Sequence, residues 1–385
     1  MATIRNLRLS ARITLNVLLA CLALSCSKKS PSAPEATLDE QLQSALDETF
    51  SNCGGQGISV AVVKPDGSVW LASKVADGAA PLSRDHVFWI GSITKMFTAA
   101  AVLQLIDEGK LHFDDQIHQF LPPYQYVDST ITVYQLLTHT SGVFDFPNHP
   151  DYNQYMEEDR TKIWTPEETV TRLFSTPYFA PGQGWRYSSG GYVLLGMIIE
   201  KVTGKKVAQV FRERFDVPLG LDDTFLDAQE TPPASFAPFW ADFNGDGEIE
   251  EIPLPVERYS ETSCAFTAGG LFSSAEDIAR WTDALFGRKV VLSQAMLDHM
   301  LDFYTDVPAD FGWLGYGMGA SIFRTSMVHG LYAYGHGGWA AYYISATAYL
   351  PKYDVTITVL LNSPNWALWE NGMDELCRVI VEHYR

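Results

Sequence analysis

Ile90-Gly91-Ser92-Ile93-Thr94-Lys95-Met96-Phe97-Thr98-Ala99-Ala100-Ala101-Val102-Leu103-Gln104-Leu105-Ile106-Asp107-Glu108-Gly109 decides how this chain is read. From Thr94 to Glu108, apolar Met96, Phe97, Ala100 and Leu103 recur at helical spacing, and Gly109 supplies a C′ stop. Ser92 at the helix start and Lys95 three residues on share one face, one turn apart. An ammonium therefore stands beside a hydroxyl, and the helix N-terminus adds positive potential. Burial and that field both push a lysine towards its neutral form, which can accept the serine proton. Lowering a lysine pKa from ~10.4 to ~7 costs about 4.6 kcal/mol, so the burial must be substantial. Alone, the pair reads by default as an N-cap Ser92 and a solvated Lys95. Ser25-Cys26-Ser27-Lys28 fits the same spacing where catalysis is impossible.

Outward from this helix, both ends of the chain carry strand patterns. Leu38 to Phe50 reads as a helix with Leu38, Leu42, Leu46 and Phe50 on one stripe. The β-branched run Gly57 to Val63 turns at Pro65-Asp66-Gly67 and returns through Ser68 to Ala72 as a hairpin. Tyr342 to Leu350, a turn at 351–354 and Val355 to Leu361 repeat that design, followed by a helix over Met373 to Tyr384. Strands at both ends with helices between predict one α/β layer built from both. The middle is helical: Thr165-Pro166-Glu167-Glu168 is a capping box, Tyr192 to Val202 an apolar helix, and Ser274-Ala275-Glu276-Asp277 another cap.

Two further stretches bear on the Ser92–Lys95 pair. Pro181-Gly182-Gln183-Gly184-Trp185-Arg186-Tyr187-Ser188-Ser189-Gly190-Gly191-Tyr192 is a Gly-rich loop entering a helix, able to present Tyr187 and Ser189 to a cleft. A tyrosine hydroxyl beside a lysine can relay a proton to a leaving group. Tyr334-Gly335-His336-Gly337-Gly338-Trp339 places glycines where a strand edge can approach a substrate and its N–H groups can bind an oxyanion. In isolation His336 reads as a core histidine and Tyr187 as a packed aromatic. Trp185, Trp313, Tyr334, Trp339, Tyr342 and Tyr343 read either as ordinary core or as the lining of an apolar acyl pocket.

The chain has 385 residues and a net charge of −19, which excludes a general nucleic-acid binder. With 46% hydrophobic and 19% charged residues it is neither disordered nor fibrous. Arg5, Arg8 and Arg12 precede the apolar run Ile13 to Leu24, an export signal too short to span a bilayer comfortably. Leu24-Ser25-Cys26 then resembles a bacterial lipobox, making Cys26 the lipidated first residue; an ordinary cleaved signal is the alternative. Residues 1–25 are thus expected to be a signal, 26–37 a tether and 38–385 the body, held at the cell envelope on a periplasmic or outer-membrane face. Cys53, Cys264 and Cys377 are odd in number, so at least one is unpaired. Asp242, Asn244 and Asp246, with Gly247 at the turn, look like part of a calcium loop, but Pro253 stands where its bidentate Glu belongs; a polar hairpin turn is the plainer alternative.

Together these residues resemble the serine β-lactamase/penicillin-binding-protein superfamily, nearest its class C, D-Ala-D-Ala carboxypeptidase and esterase branch. Besides Ser92-x-x-Lys95, the likeness includes Ile131-Thr132-Val133-Tyr134-Gln135-Leu136-Leu137-Thr138-His139-Thr140-Ser141-Gly142, Tyr192 to Glu200, and Ala268-Gly269-Gly270-Leu271-Phe272-Ser273-Ser274-Ala275-Glu276-Asp277. The resemblance implies an α/β (α+β) fold, an antiparallel sheet flanked by helices (about 38–90 and 265–385) with a mainly helical part (about 91–264) and the active site between them. It implies an acyl-enzyme in which Ser92 is the nucleophile, Lys95 its base, Tyr187 the proton shuttle, and His336 an aid to Tyr187 that binds a substrate carboxylate when protonated. The N–H groups of Ser92 and Trp339 would form the oxyanion hole, and Ser189, Gly337 and Gly338 would meet the substrate; no cofactor or metal is implied. The family's second motif usually reads Tyr-x-Asn, whereas this chain has Tyr187-Ser188-Ser189. Serine is shorter and has one donor, which disfavours efficient β-lactam turnover more than acylation. The expectation is a cell-envelope serine hydrolase of a small-molecule or peptide amide or ester, D-alanyl peptidase-like or esterase-like. Alternatives are a penicillin-binding protein with little turnover, a weak class C-like β-lactamase and an acyltransferase.

Overall fold

Val, Ile and Ala fill the segment Gly57–Val63, and all seven of its residues are buried, as a strand covered on both faces must be. The computed structural model describes residues 36–232, 235–241, 250–252, 259–307, 313–323, 331–340 and 342–385. The expected signal, Cys26 and the calcium-loop candidates Asp242, Asn244 and Asp246 lie outside the described residues. The main sheet has strands β1 (Gly57–Val63), β2 (Val69–Val75), β3 (Trp313–Tyr316), β4 (Ser321–Phe323), β5 (Ala333–Ala340), β6 (Tyr343–Leu350) and β7 (Val355–Leu361). Its order is β2-β1-β7-β6-β5-β4-β3, antiparallel throughout. The hairpin near the N-terminus is joined to the C-terminal one by β1 and β7, with Ile58 opposite Leu361.

One face of the sheet is closed by helix α1 (Leu38–Cys53) and a C-terminal helix (Trp366–His383), which share a core with Ile58, Val60, Val62, Ile344, Ile357 and Val359. The other face meets the larger core, built around α2 (Thr94–Asp107), α3 (Ser189–Thr203), α4 (Tyr259–Gly269) and α5 (Ala275–Thr282). Eleven residues of α2 are buried, so it is a core helix, apolar on every side. Trp281 of α5 stacks on Phe97 of α2, ring centroids 3.9 Å apart. A Cβ on Gly196 of α3 would sit 2.2 Å from Thr267 Oγ1 of α4, so glycine permits this close crossing. There Thr267 donates to the Tyr192 carbonyl at 2.7 Å, and Thr98 of α2 donates to the Thr267 carbonyl at 2.7 Å.

Three boundaries depart from the sequence reading for local reasons. The C-terminal helix starts at Trp366 because Asn365 caps it, its Oδ1 accepting Leu368 N–H at 2.9 Å. Helix α3 starts at Ser189, capped by the Ser188 hydroxyl accepting Gly191 N–H. Ser92 is not a cap: it lies in the 3₁₀ turn Gly91–Ile93 before α2, and no side chain caps either segment. Cys53, Cys264 and Cys377 are all free thiols, the latter two buried.

Candidate active site

The 3₁₀ turn frees the Ser92 side chain from helix capping and turns it towards Lys95. Lys95 is fully buried, and its Nζ lies 3.0 Å from Ser92 Oγ, 2.7 Å from the Ala268 carbonyl and 3.5 Å from Ser189 Oγ. Burial lowers its pKa to about 7, against the opposing pull of the Asp145 charge. The shift withdraws on the order of 5 kcal/mol from the ionised form. At neutral pH a large share of Lys95 is therefore a free amine one hydrogen bond from the serine.

Tyr187 hydrogen-bonds Ser92, and the Lys95 nitrogen sits over its ring, 4.8 Å from the centroid. Burial pushes the Tyr187 phenol well above its ordinary range despite the Ser92 contact. The phenol therefore stays neutral and relays protons, leaving Lys95 as the group that can deprotonate Ser92. Ser189, the first residue of α3, reaches Lys95 only at the 3.5 Å limit.

The strand β5 brings the remaining groups. A Cβ on Gly91 would lie 3.1 Å from the Trp339 nitrogen, so the backbones of Trp339 and the Ser92 turn are in contact. The Gly91 φ of 52° is left-handed, which glycine adopts without strain. Gly338 allows the approach: its Cβ would sit 2.0 Å from the Ile90 carbonyl oxygen. Ser345 Oγ donates to that same carbonyl at 2.9 Å and pins it. Gly337 has ordinary room, 3.7 Å to its nearest neighbour, so close packing does not demand glycine there.

His336 corrects the sequence reading. It is buried and its Nε2 lies 3.0 Å from Tyr316 Oη, while Nδ1 bonds the Gly337 carbonyl. A carbonyl only accepts, so Nδ1 carries the proton and a neutral ring takes the Tyr316 hydroxyl on Nε2. Burial, with the Lys95 charge beside it, lowers its pKa to about 3. His336 is thus a neutral ring, not a cation for a substrate carboxylate. Of the six aromatics offered for an acyl pocket, Trp185 lies beside the site, its ring 5.9 Å from that of His139 and 6.1 Å from that of Tyr316, while four others are engaged elsewhere. Trp339 points to the far face, where it meets Trp366 edge-on at 5.7 Å, and the Tyr343 hydroxyl bonds the Ala237 carbonyl. Tyr342 stacks on Phe239 and Tyr334 on Phe303, and the Trp313 side chain lies outside the described set.

Two residues near the site carried no role in the sequence reading. His139 holds a left-handed φ of 60°. Its Nδ1 accepts Ser188 N–H at 3.1 Å, its carbonyl accepts Arg186 N–H at 3.0 Å, and its ring lies 4.4 Å from that of Tyr187. It therefore brackets Tyr187 on both sides. The only signal was its place beside Gly142 in a motif quoted for the resemblance. His139→Leu is expected to lower kcat about 10- to 100-fold with little change in KM, through loss of a buried bond and strain at that φ. His139→Asn, which keeps an acceptor and tolerates the backbone, should recover most of it. Asp145 is the second: its Oδ1 accepts Ser189 N–H at 2.7 Å, and burial raises its pKa. No spacing tied it to Lys95, because the contact runs through Ser189. Among the described residues, no three His, Cys, Asp or Glu side chains are grouped to hold a metal.

Comparison with known proteins adds the following. A family model described as Beta-lactamase matches residues 42–372. The chain is 28% identical to penicillin-binding protein 4* of Bacillus subtilis over 276 residues, 68% of this chain and 58% of that protein's length. It is 29% identical to esterase EstB of Burkholderia gladioli over 326 residues, 74% of this chain and 79% of the relative. Among solved structures, a D-amino acid amidase from Ochrobactrum anthropi SV3 complexed with L-phenylalanine amide matches with a TM-score of 0.79 at 26% identity, covering 91% of this chain and 100% of that one.

Proposed function

Because the chain belongs to the beta-lactamase family, we propose that it is a serine hydrolase that cleaves an amide or ester through an acyl-Ser92 intermediate. The observation that carries this is the 3.0 Å Lys95–Ser92 contact with the lysine buried and its pKa brought to about 7. Neutral Lys95 takes the Ser92 proton as Oγ attacks the carbonyl carbon. The oxyanion forms where the backbones of Ser92 and Trp339 meet, each donor there worth ~2.7–4 kcal/mol. On collapse the carbon–heteroatom bond breaks, and the leaving group takes a proton relayed from Lys95 by the Tyr187 hydroxyl. Water, deprotonated by the same relay, then attacks the acyl carbon and releases Ser92 and the acid. Relatives that are a penicillin-binding protein, an esterase and a D-amino acid amidase support amide and ester chemistry.

Intact-mass spectrometry of the body mixed with a fluorescent penicillin, a D-Ala-D-Ala peptide and a p-nitrophenyl ester tests the reading. Ester or amide turnover through a Ser92 adduct is expected; modification of the protein at any other residue would overturn it. The pH dependence follows from Lys95. Its active form is the deprotonated one, so kcat/KM on an uncharged ester should rise tenfold per pH unit below about 7 and level off above it. His336, neutral above about pH 3, should add no second limb near 6.5. A pH–rate profile checks both. We further place the protein at the cell envelope, lipidated on Cys26, a proposal that rests on residues 1–29 alone. Palmitate labelling that disappears in Cys26→Ser would support it; labelling that persists would refute it.

A further inference from the structure

Phe266 interrupts α4 with a backbone conformation that its residue type does not favour. Its φ is 44° and its ψ −126°, at a kink that joins two helical pieces within Tyr259–Gly269. These angles lie near the first corner of a type II′ turn, where φ is positive and glycine is the rule. A buried phenylalanine there is strained, and such strain persists only where the surroundings impose it. The ring supplies one hold: it lies against α3 at Gly196, where a Cβ would come 2.6 Å from Phe266 Cε1. The Phe266 carbonyl supplies another by accepting Gly270 N–H at 2.6 Å.

The next three carbonyls are all met from outside α4. Thr267 O accepts the Thr98 hydroxyl at 2.7 Å, Ala268 O accepts Lys95 Nζ at 2.7 Å, and Gly269 O accepts Trp89 Nε1. All three donors belong to α2 or to the chain leading into it. The Ala268 contact bears on the chemistry. A neutral amine has two N–H donors and one lone pair, and a carbonyl only accepts, so one Lys95 hydrogen is committed to Ala268. Ser189 Oγ, at 3.5 Å, takes the other weakly, and the lone pair is left for the Ser92 hydroxyl at 3.0 Å. A base needs that arrangement before it accepts the serine proton. Without the carbonyl, the amine would turn freely and present an N–H to Ser92 for part of the time.

We infer that Phe266 is a positioning residue for the base: its glycine-like turn aims the Ala268 carbonyl at Lys95 and so holds the lysine lone pair towards the Ser92 hydroxyl. This rests on the reading of Lys95 as the group that deprotonates Ser92. Besides Ala268, the lysine nitrogen faces Ser92, Ser189, the Tyr187 and Tyr192 rings, the uncharged His139 and His336, and the Asp145 charge. None of these belongs to the 264–270 segment.

Kinetics of Phe266→Leu, Phe266→Ala and Phe266→Gly on an uncharged p-nitrophenyl ester test this, because packing and backbone strain rank the three in opposite orders. By lost packing alone, leucine is best and glycine worst. By the turn, glycine is best, since it adopts these angles without strain. Leucine and alanine, with no ring to hold them, relax towards helical angles and swing the Ala268 carbonyl away. Phe266→Gly should keep kcat within about 5-fold of wild type, and Phe266→Leu and Phe266→Ala should fall about 10- to 100-fold below it, with KM within about 3-fold throughout. Losing the carbonyl also removes a bond that favours the ammonium. The acidic limb at about pH 7 should therefore move down by about half a pH unit or more in the leucine and alanine variants and stay in place in Phe266→Gly. A kcat for Phe266→Gly no better than that of Phe266→Leu, a Phe266→Gly protein that does not fold, or a slow Phe266→Leu whose acidic limb has not moved would each overturn the inference. Where Phe266→Ala does not fold, the leucine and glycine variants decide it. A wild type with no acidic limb would instead remove Lys95 as the base, and this inference with it.

Discussion

Ser92→Ala should remove covalent labelling and lower turnover on the order of 10⁴- to 10⁶-fold, the scale set by loss of a nucleophile that acts as one unit with its base. Stability should change by no more than about ±1 kcal/mol. Two features make the effects separable. Ser92 is neither a helix cap nor part of the core, so its hydroxyl holds no backbone group in place. Lys95, deprived of one partner, keeps the Ala268 carbonyl at 2.7 Å and is already eased towards its neutral form by burial. Kinetics and a denaturant melt on the same preparation decide it. Turnover within tenfold of wild type would mean that another group attacks the substrate.

Gly338→Ala should be the most damaging change on the sheet side. The added carbon would lie 2.0 Å from the Ile90 carbonyl oxygen and 2.4 Å from Ser345 Oγ, both inside contact distance. One of those atoms is backbone, so β5 and the Ser92 turn must separate, and the Ser345–Ile90 bond that joins them is lost. The proposed oxyanion donors, the Ser92 and Trp339 N–H groups, move with those two segments. A kcat loss of about 10²- to 10³-fold is expected from the missing donor, with ~1–3 kcal/mol of stability from overpacking. Gly337→Ala is the matched control: its nearest neighbours would be 3.7 and 3.9 Å away, and its kcat should stay within about 3-fold and its stability within about 0.5 kcal/mol. If both substitutions behave alike, close approach of the strand to the turn is not what shapes the site.

The fold was legible where periodicity and turn chemistry agreed. The two hairpins, joined through β1 and β7, and the apolar α2 were read from the chain because period-2 and period-3.6 patterns are local. The short strands Phe88–Trp89, Phe225–Leu226 and Leu271–Ser273, which form a second small sheet, left no readable pattern, since two or three residues do not establish a period. In the site, Ser92 and Lys95 are one turn apart in sequence and in space. The resemblance implies that His336 binds a carboxylate when protonated, whereas complete burial and the Lys95 charge keep the ring neutral, and its Nε2 partner, Tyr316, comes from another strand. Trp339 shows the same limit, since a strand's backbone and its side chain serve opposite faces. Asp145 and His139 act through hydrogen bonds to residues 44 and 49 positions away, and no motif records such contacts.

The pairing of β1 with β7 also governs how the polypeptide acquires its structure. Ile58 waits for Leu361, so the middle of the sheet cannot close until the long stretch between them has been synthesised. Contacts this distant in sequence carry a large loop-closure entropy and slow the folding of a topology. Meanwhile the nascent hairpin displays Gly57–Val63, apolar at nearly every position, as an unpaired edge open to mispairing with another chain. The same strand that completes the finished sheet is therefore the segment most in need of a chaperone during biogenesis, and charged substitutions there would be felt in yield before they were felt in kcat.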